Sequence, residues 1–321
     1  MEEAVQPDHP YDVAIIGGGP AGLTAGIYAA RANLRTLMIQ GASTVSQITI
    51  TDMIENYPGF PEGINGFDLV ERLRKQAVQF GLETLSEDTS SLEPGRWGDH
   101  PAWRIIAGGK TIEALSVILA TGASWRRLGV PGEEQFIGRG VSFCATCDGP
   151  FYRNREVVVV GGGNTAIQEA LFLTHFADKV TVVHRRDRLR ATGILQDRAF
   201  ANGKIAFAWN SVVREILGKE TVEAVRLRDV KTGEEREIPT EGVFLFVGLI
   251  PNTDLVHDLA DREPDGAVRV DRAMRTSAPG IFACGDCTVT PLRQVITACG
   301  DGAVAANSAQ LYVEDIKGTA Y

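Results

Sequence analysis

The chain has 321 residues, of which 44% are hydrophobic and 23% are charged, and its formal net charge is −9. This length predicts two domains, and the ordinary composition excludes a largely disordered, fibrous or collagen-like protein. The acidic balance argues against nucleic-acid binding, which normally requires a basic face. No signal peptide is recognisable and no apolar run reaches the roughly 18 residues of a membrane span, so we expect a cytoplasmic protein without a membrane partner.

The first predicted element is a β-strand that leads into a glycine-rich loop. The apolar run at residues 11–16 is followed by Gly17-x-Gly19-x-x-Gly22, a helical stretch and a second apolar run at residues 35–39. In such a strand-helix-strand unit the glycines allow a tight turn, close approach of a pyrophosphate, and packing of helix on strand. This predicts a dinucleotide site. A glycine-rich turn without a ligand is the alternative.

The end of the second strand departs from the simplest NAD-binding pattern. That pattern places a carboxylate there to bind a ribose hydroxyl, whereas this chain has Gln40 and Gly41. The region that follows is predicted to contain a helix at residues 66–80, a polar β-rich stretch at 85–112 and a strand at 116–120.

A CxxC motif followed by a carboxylate comes next, in Cys144-Ala145-Thr146-Cys147-Asp148. This spacing suits a reversible disulfide in which one thiol acts as nucleophile and the neighbouring acid moves a proton. Half of a zinc site, completed by the second CxxC at Cys284 and Cys287, is one alternative. Two cysteines buried in a core are the other. We predict the redox pair and no metal.

The strand-loop-helix-strand design then recurs. An apolar run at residues 156–160 leads into Gly161-x-Gly163-x-x-Ala166, and the second strand of the copy covers 179–183. Continuous apolar strands that alternate with helices indicate parallel sheets covered on both faces. The sequence therefore predicts an α/β fold with two Rossmann-like dinucleotide-binding domains, each of three layers.

A basic turn ends the second copy. Guanidinium groups bind a 2′-phosphate through charge-assisted hydrogen bonds, whereas a carboxylate at this position would repel it. The pattern favours NADPH over NADH, and a solvated basic turn is the alternative. The residues of the turn are His184, Arg185, Arg186, Asp187, Arg188, Leu189 and Arg190.

The remaining elements predict that one domain is inserted in the other. Strands are expected at residues 242–248 and 280–283, and a closing helix at about 302–315. Short crossings near Gly122 and Gly248 would join the domains. We expect one domain formed by residues 1–122 plus 249–321, which contains the first glycine loop, and an inserted domain formed by residues 123–248, which contains the second; the resemblance described below implies that the first is an FAD-binding domain and the second an NADPH-binding domain.

Together, in this order, the motifs closely resemble the low-molecular-weight, bacterial-type thioredoxin reductases, and the resemblance covers nearly the whole chain. Apart from the two glycine loops, it depends on Glu55-Asn56-Tyr57-Pro58-Gly59, Ala120-Thr121-Gly122-Ala123, Cys144-Ala145-Thr146-Cys147-Asp148-Gly149, His184-Arg185-Arg186-Asp187, Gly285-Asp286 and Arg293-Gln294.

The resemblance implies two cofactors. FAD would be bound in the first unit, with Asp286 at the ribitol, by Gly17, Gly19, Gly22, Gln47, Asn56, Gly285, Asp286, Arg293 and Gln294. NADPH would be bound in the second unit by Gly161, Gly163, Asn164, Thr165, Ala166, His184, Arg185, Arg186 and Arg190.

The resemblance also implies a reaction. Electrons would pass from NADPH through FAD to the disulfide of Cys144 and Cys147, and from there to the disulfide of thioredoxin. Cys147 would face the flavin, Cys144 would attack thioredoxin, and Asp148 would give and take the proton. A homodimer is expected from the same resemblance.

Other readings stay open at this point. The donor could be ferredoxin, although the intact basic turn weighs against it. The acceptor could be a glutaredoxin-like protein, a peroxidase partner or a small dithiol. A flavin- or NADPH-binding regulator without turnover would not need Asp148 beside a CxxC. Cys284, Cys287 and Cys299 are interpreted as small buried hydrophobes, and Tyr321 either stacks on the flavin or belongs to a frayed tail.

Overall fold

The computed structural model describes residues 10–42, 46–51 and 53–319, and the chain divides into two compact units. The discontinuous unit contains the described residues up to Ser124 and again from Ile250, and the inserted unit is Trp125–Leu249. Tyr321, which the sequence analysis singled out, lies outside the described residues.

Helices and strands alternate within the two strand-helix-strand units, as the sequence pattern predicts, and runs of consecutive strands follow each unit. The helices are α1 (Pro20–Arg31), α2 (Gly66–Gln79), α3 (Ala145–Asp148), α4 (Asn164–Leu173), α5 (Gly193–Ala201) and α6 (Val295–Lys317). The strands are β1 (Tyr11–Ile16), β2 (Thr36–Gln40), β3 (Glu83–Ser86), β4 (Thr89–Trp97), β5 (His100–Ala107), β6 (Lys110–Leu119), β7 (Ala123–Trp125), β8 (Val141–Ser142), β9 (Glu156–Val160), β10 (Lys179–Val183), β11 (Ile205–Ala208), β12 (Ser211–Gly218), β13 (Val222–Asp229), β14 (Glu235–Pro239), β15 (Gly242–Leu245), β16 (Leu249–Pro251) and β17 (Ile281–Ala283).

The main sheet of the discontinuous unit has the strand order β3-β2-β1-β6-β5-β4, and β17 also pairs with β6. The pairs that involve β1, β2, β3 and β17 are parallel, whereas β4, β5 and β6 are antiparallel neighbours. Alternate residues of β1 point to opposite faces of the sheet. Val13 and Ile15 pack in the cluster that contains α1 and α6 residues, and Ala14 and Ile16 pack with residues of β4 and β5. Both faces are therefore covered.

The inserted unit repeats this design. Its parallel sheet has the order β11-β10-β9-β15-β8, and an antiparallel sheet is formed by β12, β13 and β14. Val157 and Val159 pack with α4 residues, whereas Val158 and Val160 pack with residues of β12 and β13. The predicted α/β class, with one strand-helix-strand unit in each half, is confirmed.

The two segments at which the chain passes from one unit to the other contain β7 and β16, and these two strands pair with each other. Gly122 has a φ of 66° and Gly248 a φ of 125°, a backbone region that glycine tolerates best. The units divide after Ser124 and after Leu249, whereas the sequence analysis drew its boundaries at Gly122 and Gly248.

The closing helix begins earlier than predicted. α6 starts at Val295 rather than near residue 302, because Gln294 and Thr297 form a capping box. The backbone N–H of Gln294 donates to Thr297 Oγ1 at 3.2 Å. Among the described residues, no helix is both long enough and apolar enough to cross a membrane.

Candidate functional site

In the first glycine loop, between β1 and α1, close contacts exclude a side chain at two of the three motif glycines. Gly17 has a φ of 120°, and a β-carbon there would lie 2.2 Å from the carbonyl oxygen of Ala120. A β-carbon on Gly22 would lie 1.9 Å from the carbonyl oxygen of Gly17. Gly19 is the N-cap of α1 and meets only Ser46 Oγ, at 3.4 Å. Two glycines thus close the turn, and the third leaves open space at the helix N-terminus.

The turn that follows β17 contacts the same helix. A β-carbon on Gly285 would lie 3.0 Å from the β-carbon of Ala21, so this turn packs directly behind the first glycine loop. Arg293 Nε donates to the carbonyl oxygen of Asp286 at 3.4 Å. Burial raises the pKa of the Asp286 carboxyl, and the nearby Arg293 opposes that rise.

Three further predicted residues, Gln47, Asn56 and Gln294, form side-chain amide hydrogen bonds. Asn56 Nδ2 donates to Gln294 Oε1 at 2.8 Å, so the segment around Asn56 lies next to the start of α6. The side-chain amide of Gln47 donates to the carbonyl oxygen of Ala123, just after the Thr121-Gly122 turn. These hydrogen bonds therefore join segments that are far apart in the sequence.

Arg74 is a residue of this region that the sequence analysis missed. Its Nη1 donates to Gln40 Oε1 at 2.7 Å, and Gln40 Nε2 donates to Ser86 Oγ at 2.8 Å. The Gln40 side chain lies beside Gly18 in the glycine loop, 2.9 Å from the position of a β-carbon. The end of β2 therefore presents an amide fixed by an arginine in place of the carboxylate of the NAD pattern. No sequence signal linked Arg74, on α2, to Gln40.

The second glycine loop, between β9 and α4, has the same construction. Gly161 has a φ of 149°, and a β-carbon there would lie 2.5 Å from the carbonyl oxygen of Phe246 and 2.7 Å from the β-carbon of Ala166. A β-carbon on Gly163, the N-cap of α4, would meet nothing within 4 Å. Thr165 is exposed at the start of this helix.

Backbone hydrogen bonds fasten the basic turn to this loop. The N–H groups of Arg190 and Ala191 donate to the carbonyl oxygen of Gly162 at 2.7 and 3.1 Å. Asn164 Oδ1 accepts the N–H of Thr192 at 2.8 Å. The structure thus brings the predicted NADPH residues of the loop and of the turn together.

His184 lies at the centre of this junction and is only 6% exposed. Burial, together with the positive charges of Arg190, Arg185 and Arg186, lowers the pKa of its imidazole. The ring is therefore neutral at pH 7. Its Nε2 is buried without a hydrogen-bond partner among the described residues.

A surface cavity of about 360 Å³ adjoins the basic turn. It includes Lys231, which the sequence analysis did not identify and which lies between β13 and β14. Lys231 Nζ lies 3.2 Å from Asp187 Oδ2, and this contact lowers the pKa of the Asp187 carboxyl. The carboxylate within the basic turn is thus paired. The cavity is lined by Arg185, Arg186, Asp187, Arg188, Asn210, Val230 and Lys231.

The CxxC motif forms the third part of the site. Cys144 and Cys147 are joined by a disulfide, with their α-carbons 5.4 Å apart. Cys144 is the N-cap of α3, and its Sγ accepts the N–H of Cys147 at 3.0 Å. Cys147 is exposed, and Cys144 and Asp148 are half-buried.

The turn that contains Cys144 and Cys147 also forms a hydrogen bond with a residue of α4, and it lies near Tyr152. The N–H of Ala145, directly after Cys144, donates to Glu169 Oε2 at 3.2 Å. Burial and the nearby charge of Asp148 raise the pKa of the Tyr152 phenol. Glu169 is a residue that sequence reasoning missed, because nothing in the CxxC motif indicates which helix packs on it.

The three remaining cysteines are free and buried. Burial raises the pKa of Cys284 well above that of an ordinary thiol, and raises the pKa of Cys287 to about 11. Cys299 lies 3.8 Å from the hydroxyl of Tyr57. As the sequence analysis expected, these cysteines are part of the core.

Comparison with known proteins agrees with this geometry. The model of the pyridine nucleotide-disulphide oxidoreductase family matches residues 11–302. The chain is 48% identical to the thioredoxin reductase of Listeria innocua, over 96% of this chain and 95% of that protein. It is 46% identical to the thioredoxin reductase of Bacillus subtilis, over 96% of each.

Solved structures give the same result. The crystal structure of Lactococcus lactis thioredoxin reductase in its FR conformation superposes with a TM-score of 0.91 at 44% identity, covering 95% of this chain and 99% of that one. The thioredoxin reductase of T. acidophilum superposes with a TM-score of 0.88 at 31% identity, covering 94% and 98%.

Proposed function

This chain belongs to the pyridine nucleotide-disulphide oxidoreductase family, and we propose that it catalyses the NADPH-dependent reduction of thioredoxin. The observation that carries the proposal is the Cys144–Cys147 disulfide, which lies in the same compact unit as the second glycine loop and the basic turn. A disulfide followed by a carboxylate suits thiol–disulfide exchange.

FAD and NADPH are the cofactors of this chain, and the two loops fit them. At Gly19 and Gly163, the N-caps of α1 and α4, the space beside the backbone is open enough for a pyrophosphate, whereas the neighbouring glycines are packed. When bound, FAD would supply the two-electron chemistry that links NADPH to the Cys144–Cys147 disulfide.

Specific residues would hold each cofactor. The discontinuous unit would bind FAD through Gly17, Gly19, Gly22, Gln47, Asn56, Gly285, Asp286, Arg293 and Gln294. The inserted unit would bind NADPH through Gly161, Gly163, Asn164, Thr165, Ala166, His184, Arg185, Arg186 and Arg190. The exposed guanidinium groups of the basic turn support a 2′-phosphate ligand.

The dithiol would then act by exchange. Cys144, as a thiolate, attacks a sulfur of the thioredoxin disulfide and displaces the other as a thiolate, which takes a proton from Asp148. Cys147 then gives its proton to Asp148 and attacks the Cys144 sulfur of the mixed disulfide, which restores the Cys144–Cys147 bond. The departing thioredoxin thiolate takes that proton from Asp148, so that reduced thioredoxin is released. Asp148, half-buried in the turn that carries both cysteines, is the nearest carboxylate in sequence to Cys147.

We also infer the oligomeric state and the cellular location of the enzyme from its family. The family resemblance supports a homodimer and a cytoplasmic location, where glutathione and thioredoxin systems keep thiols reduced. The exposed apolar side chains of α6, which include Ile296, Val304 and Leu311, are compatible with a subunit contact.

Anaerobic titration of the purified holoenzyme with NADPH tests the donor. We expect the flavin absorbance to bleach with NADPH at far lower concentration than with NADH. Adding thioredoxin from the same organism should restore the absorbance and reduce insulin in a coupled assay. The variant C147S should still bleach but should not reduce thioredoxin.

Two outcomes would contradict the proposal separately. If NADPH did not bleach the absorbance of an intact flavoprotein, NADPH would be excluded as the donor and the alternative donor, ferredoxin, would be favoured. Bleaching without transfer to thioredoxin would remove the acceptor, and a panel of glutaredoxin-like proteins, peroxidases and small dithiols would then identify it.

A further inference from the structure

The side chain of Ser142 contacts the backbone of Cys144 at a point that the proposed exchange reaction does not use. Its Oγ accepts the N–H of Cys144 at 3.1 Å and donates to the carbonyl oxygen of the same residue at 3.2 Å. A serine hydroxyl has one hydrogen to donate, and here that hydrogen is used on Cys144. These two hydrogen bonds form the Ser142 bridge, which joins the peptide groups on either side of the Cys144 α-carbon.

The Ser142 bridge is anchored in the parallel sheet of the inserted unit. Ser142 is the last residue of β8, it is only 4% exposed, and it lies opposite Phe244 of β15. A buried hydroxyl that lost its partners would remain without a hydrogen bond, which is unfavourable. The bridge uses backbone atoms of Cys144 and no sulfur, so reduction of the disulfide removes neither of its hydrogen bonds.

The bridge holds Cys144 in the conformation that the disulfide requires. Cys144 is extended, with a φ of −144° and a ψ of 103°, and its α-carbon lies 5.4 Å from that of Cys147. This separation is within the range that a disulfide can span. Because both peptide groups of Cys144 are fixed, the bridge restricts the backbone freedom that the residue would otherwise gain when the bond is broken.

This restriction acts on the reduced form of the pair. Reduction adds two electrons and two protons, breaks the S–S bond and leaves a thiol on each cysteine. Two groups that are held in reacting geometry have a higher effective concentration than two groups that move freely. A reduced pair in which Cys144 stays in place therefore closes to the disulfide more readily.

We propose that Ser142 is a positioning residue whose hydroxyl holds Cys144 in the geometry of the disulfide and so lowers the reduction potential of the Cys144–Cys147 pair. The inference rests on the proposed function, in which this dithiol must reduce the disulfide of a protein partner. A lower potential shifts that exchange toward the reduced partner.

The test compares the wild-type holoenzyme with S142A. Each is equilibrated without oxygen in buffers of defined reduced and oxidised dithiothreitol, in which dithiothreitol supplies the two electrons and two protons and becomes a cyclic disulfide. Acid quenching, alkylation and mass spectrometry of the Cys144–Cys147 peptide give the reduced fraction independently of the flavin. Because alanine keeps the β-carbon and removes the bridge, we expect the equilibrium constant for reduction to rise about three- to tenfold.

The inserted unit offers a matched control in Ser211. This serine is also buried, it is the first residue of β12, and its Oγ donates to the carbonyl oxygen of Trp209 at 2.8 Å. S211A removes a buried hydroxyl that bonds the backbone two residues away, and it leaves Cys144 untouched. We expect its equilibrium constant to stay within about twofold of wild type.

A second measurement separates geometry from a direct effect on the sulfur. In C147S, the rate of Cys144 alkylation by iodoacetamide is followed against pH, with and without S142A. The hydroxyl hydrogen is used on a carbonyl oxygen, so we expect the midpoint of this profile to stay within about 0.3 pH unit. A midpoint raised by about one unit in S142A would mean that the hydroxyl stabilises the thiolate instead, and the inference would be wrong.

A measurement on the wild-type chain applies even if S142A does not fold. Labelling with ¹⁵N-cysteine gives one amide signal for each of the five cysteines, and C144S identifies that of Cys144. We expect the Cys144 N–H to exchange slowly with deuterium in the oxidised protein and to slow or quicken by less than about tenfold on reduction. Rapid exchange after reduction would show that the bridge opens together with the disulfide, which contradicts the proposed role.

Equal constants for wild type and S142A, or an equal rise in S211A, would overturn the inference. The dithiothreitol equilibrium uses neither NADPH nor thioredoxin, so this result would leave the proposed function standing. Conversely, failure of NADPH to bleach the flavin would overturn the donor assignment and leave the role of Ser142 intact.

Discussion

The imidazole of His184 lies where a side chain on Gly162 would have to be. A β-carbon built on Gly162 would be 2.5 Å from Nδ1 and 2.6 Å from Cε1 of His184. Gly162 is an unspecified position of the dinucleotide motif, yet this contact makes glycine necessary here. The imidazole of His184 therefore fills the space beside Gly162, and this contact packs the basic turn against the second glycine loop.

We predict that Gly162→Ala lowers the free energy of unfolding of the inserted unit by about 1–3 kcal/mol. The added methyl would overlap a buried ring in a closely packed place, which is the usual cost of overpacking. Urea unfolding followed by the fluorescence of the chain's tryptophans measures the change.

Gly163→Ala is the matched control. A β-carbon on Gly163 would meet nothing within 4 Å, and its φ of −90° suits alanine. We expect its stability to stay within about 0.5 kcal/mol of wild type, while its affinity for NADP⁺ falls because the methyl would stand where the pyrophosphate approaches. Equal loss of stability in the two variants would contradict the fit of His184 to Gly162.

The lowered pKa of His184 predicts a pH-dependent stability. In the unfolded chain the imidazole takes up a proton near its ordinary pKa of about 6.5, whereas in the folded chain it stays neutral to lower pH. Its contribution is thus fully present above that pH and decreases as the pH falls from about 6.5 toward the folded-state pKa.

We expect wild type to lose more stability than His184→Phe between pH 7.5 and 5.5. Phenylalanine keeps an aromatic ring and cannot titrate, so the difference between the two proteins isolates this group. Urea unfolding at both pH values measures it. Parallel losses would contradict a neutral, buried imidazole in the folded protein.

Motifs that are local in the sequence could be predicted before the structure. Gly17, Gly161 and the Cys144–Cys147 pair each belong to a motif whose members lie within a few residues of one another, so the spacing indicated their chemistry. Strands β1, β2, β9 and β10 were equally clear, because parallel strands buried on both faces are mainly apolar. The exposed strand β3 was not predicted as a separate strand.

Residues that act across the fold could not be found in this way. Arg74, Glu169 and Lys231 reach their partners Gln40, Ala145 and Asp187 only after helices and hairpins pack. Exposed or half-buried charges of this type are common on any soluble protein, and no periodicity distinguishes those with a role.

The pair of Lys231 and Asp187 predicts an effect on nucleotide specificity. A free Asp187 carboxylate would repel a 2′-phosphate bound at Arg185 and Arg186. We expect Lys231→Met to weaken binding of NADP⁺ about two- to fivefold, as suits an exposed pair, and to leave binding of NAD⁺ unchanged. Isothermal titration calorimetry at low salt measures both affinities.

A double-mutant cycle tests the cause of this loss. If Lys231 acts by neutralising Asp187, then Asp187→Asn with Lys231→Met should restore most of the affinity for NADP⁺. Additive losses in the double variant would mean instead that Lys231 contacts the nucleotide directly. Salt at 1 M should reduce the effect of each single change, because exposed charges are screened.

The buried cysteines give the last prediction. The thiolate is the reactive form, and the pKa of about 11 for Cys287 leaves roughly one thiol in a thousand ionised at pH 8. Burial also raises the pKa of Cys284 well above that of an ordinary thiol, and both side chains are 0% exposed. We therefore expect the native oxidised protein to react with Ellman's reagent at least about a hundredfold more slowly than the same protein after reduction of Cys144 and Cys147. Denaturation should expose the three free thiols at once. Rapid labelling of Cys284 or Cys287 in the folded protein would show instead that the turn after β17 opens to solvent, and peptide mapping of the labelled sites decides between the two.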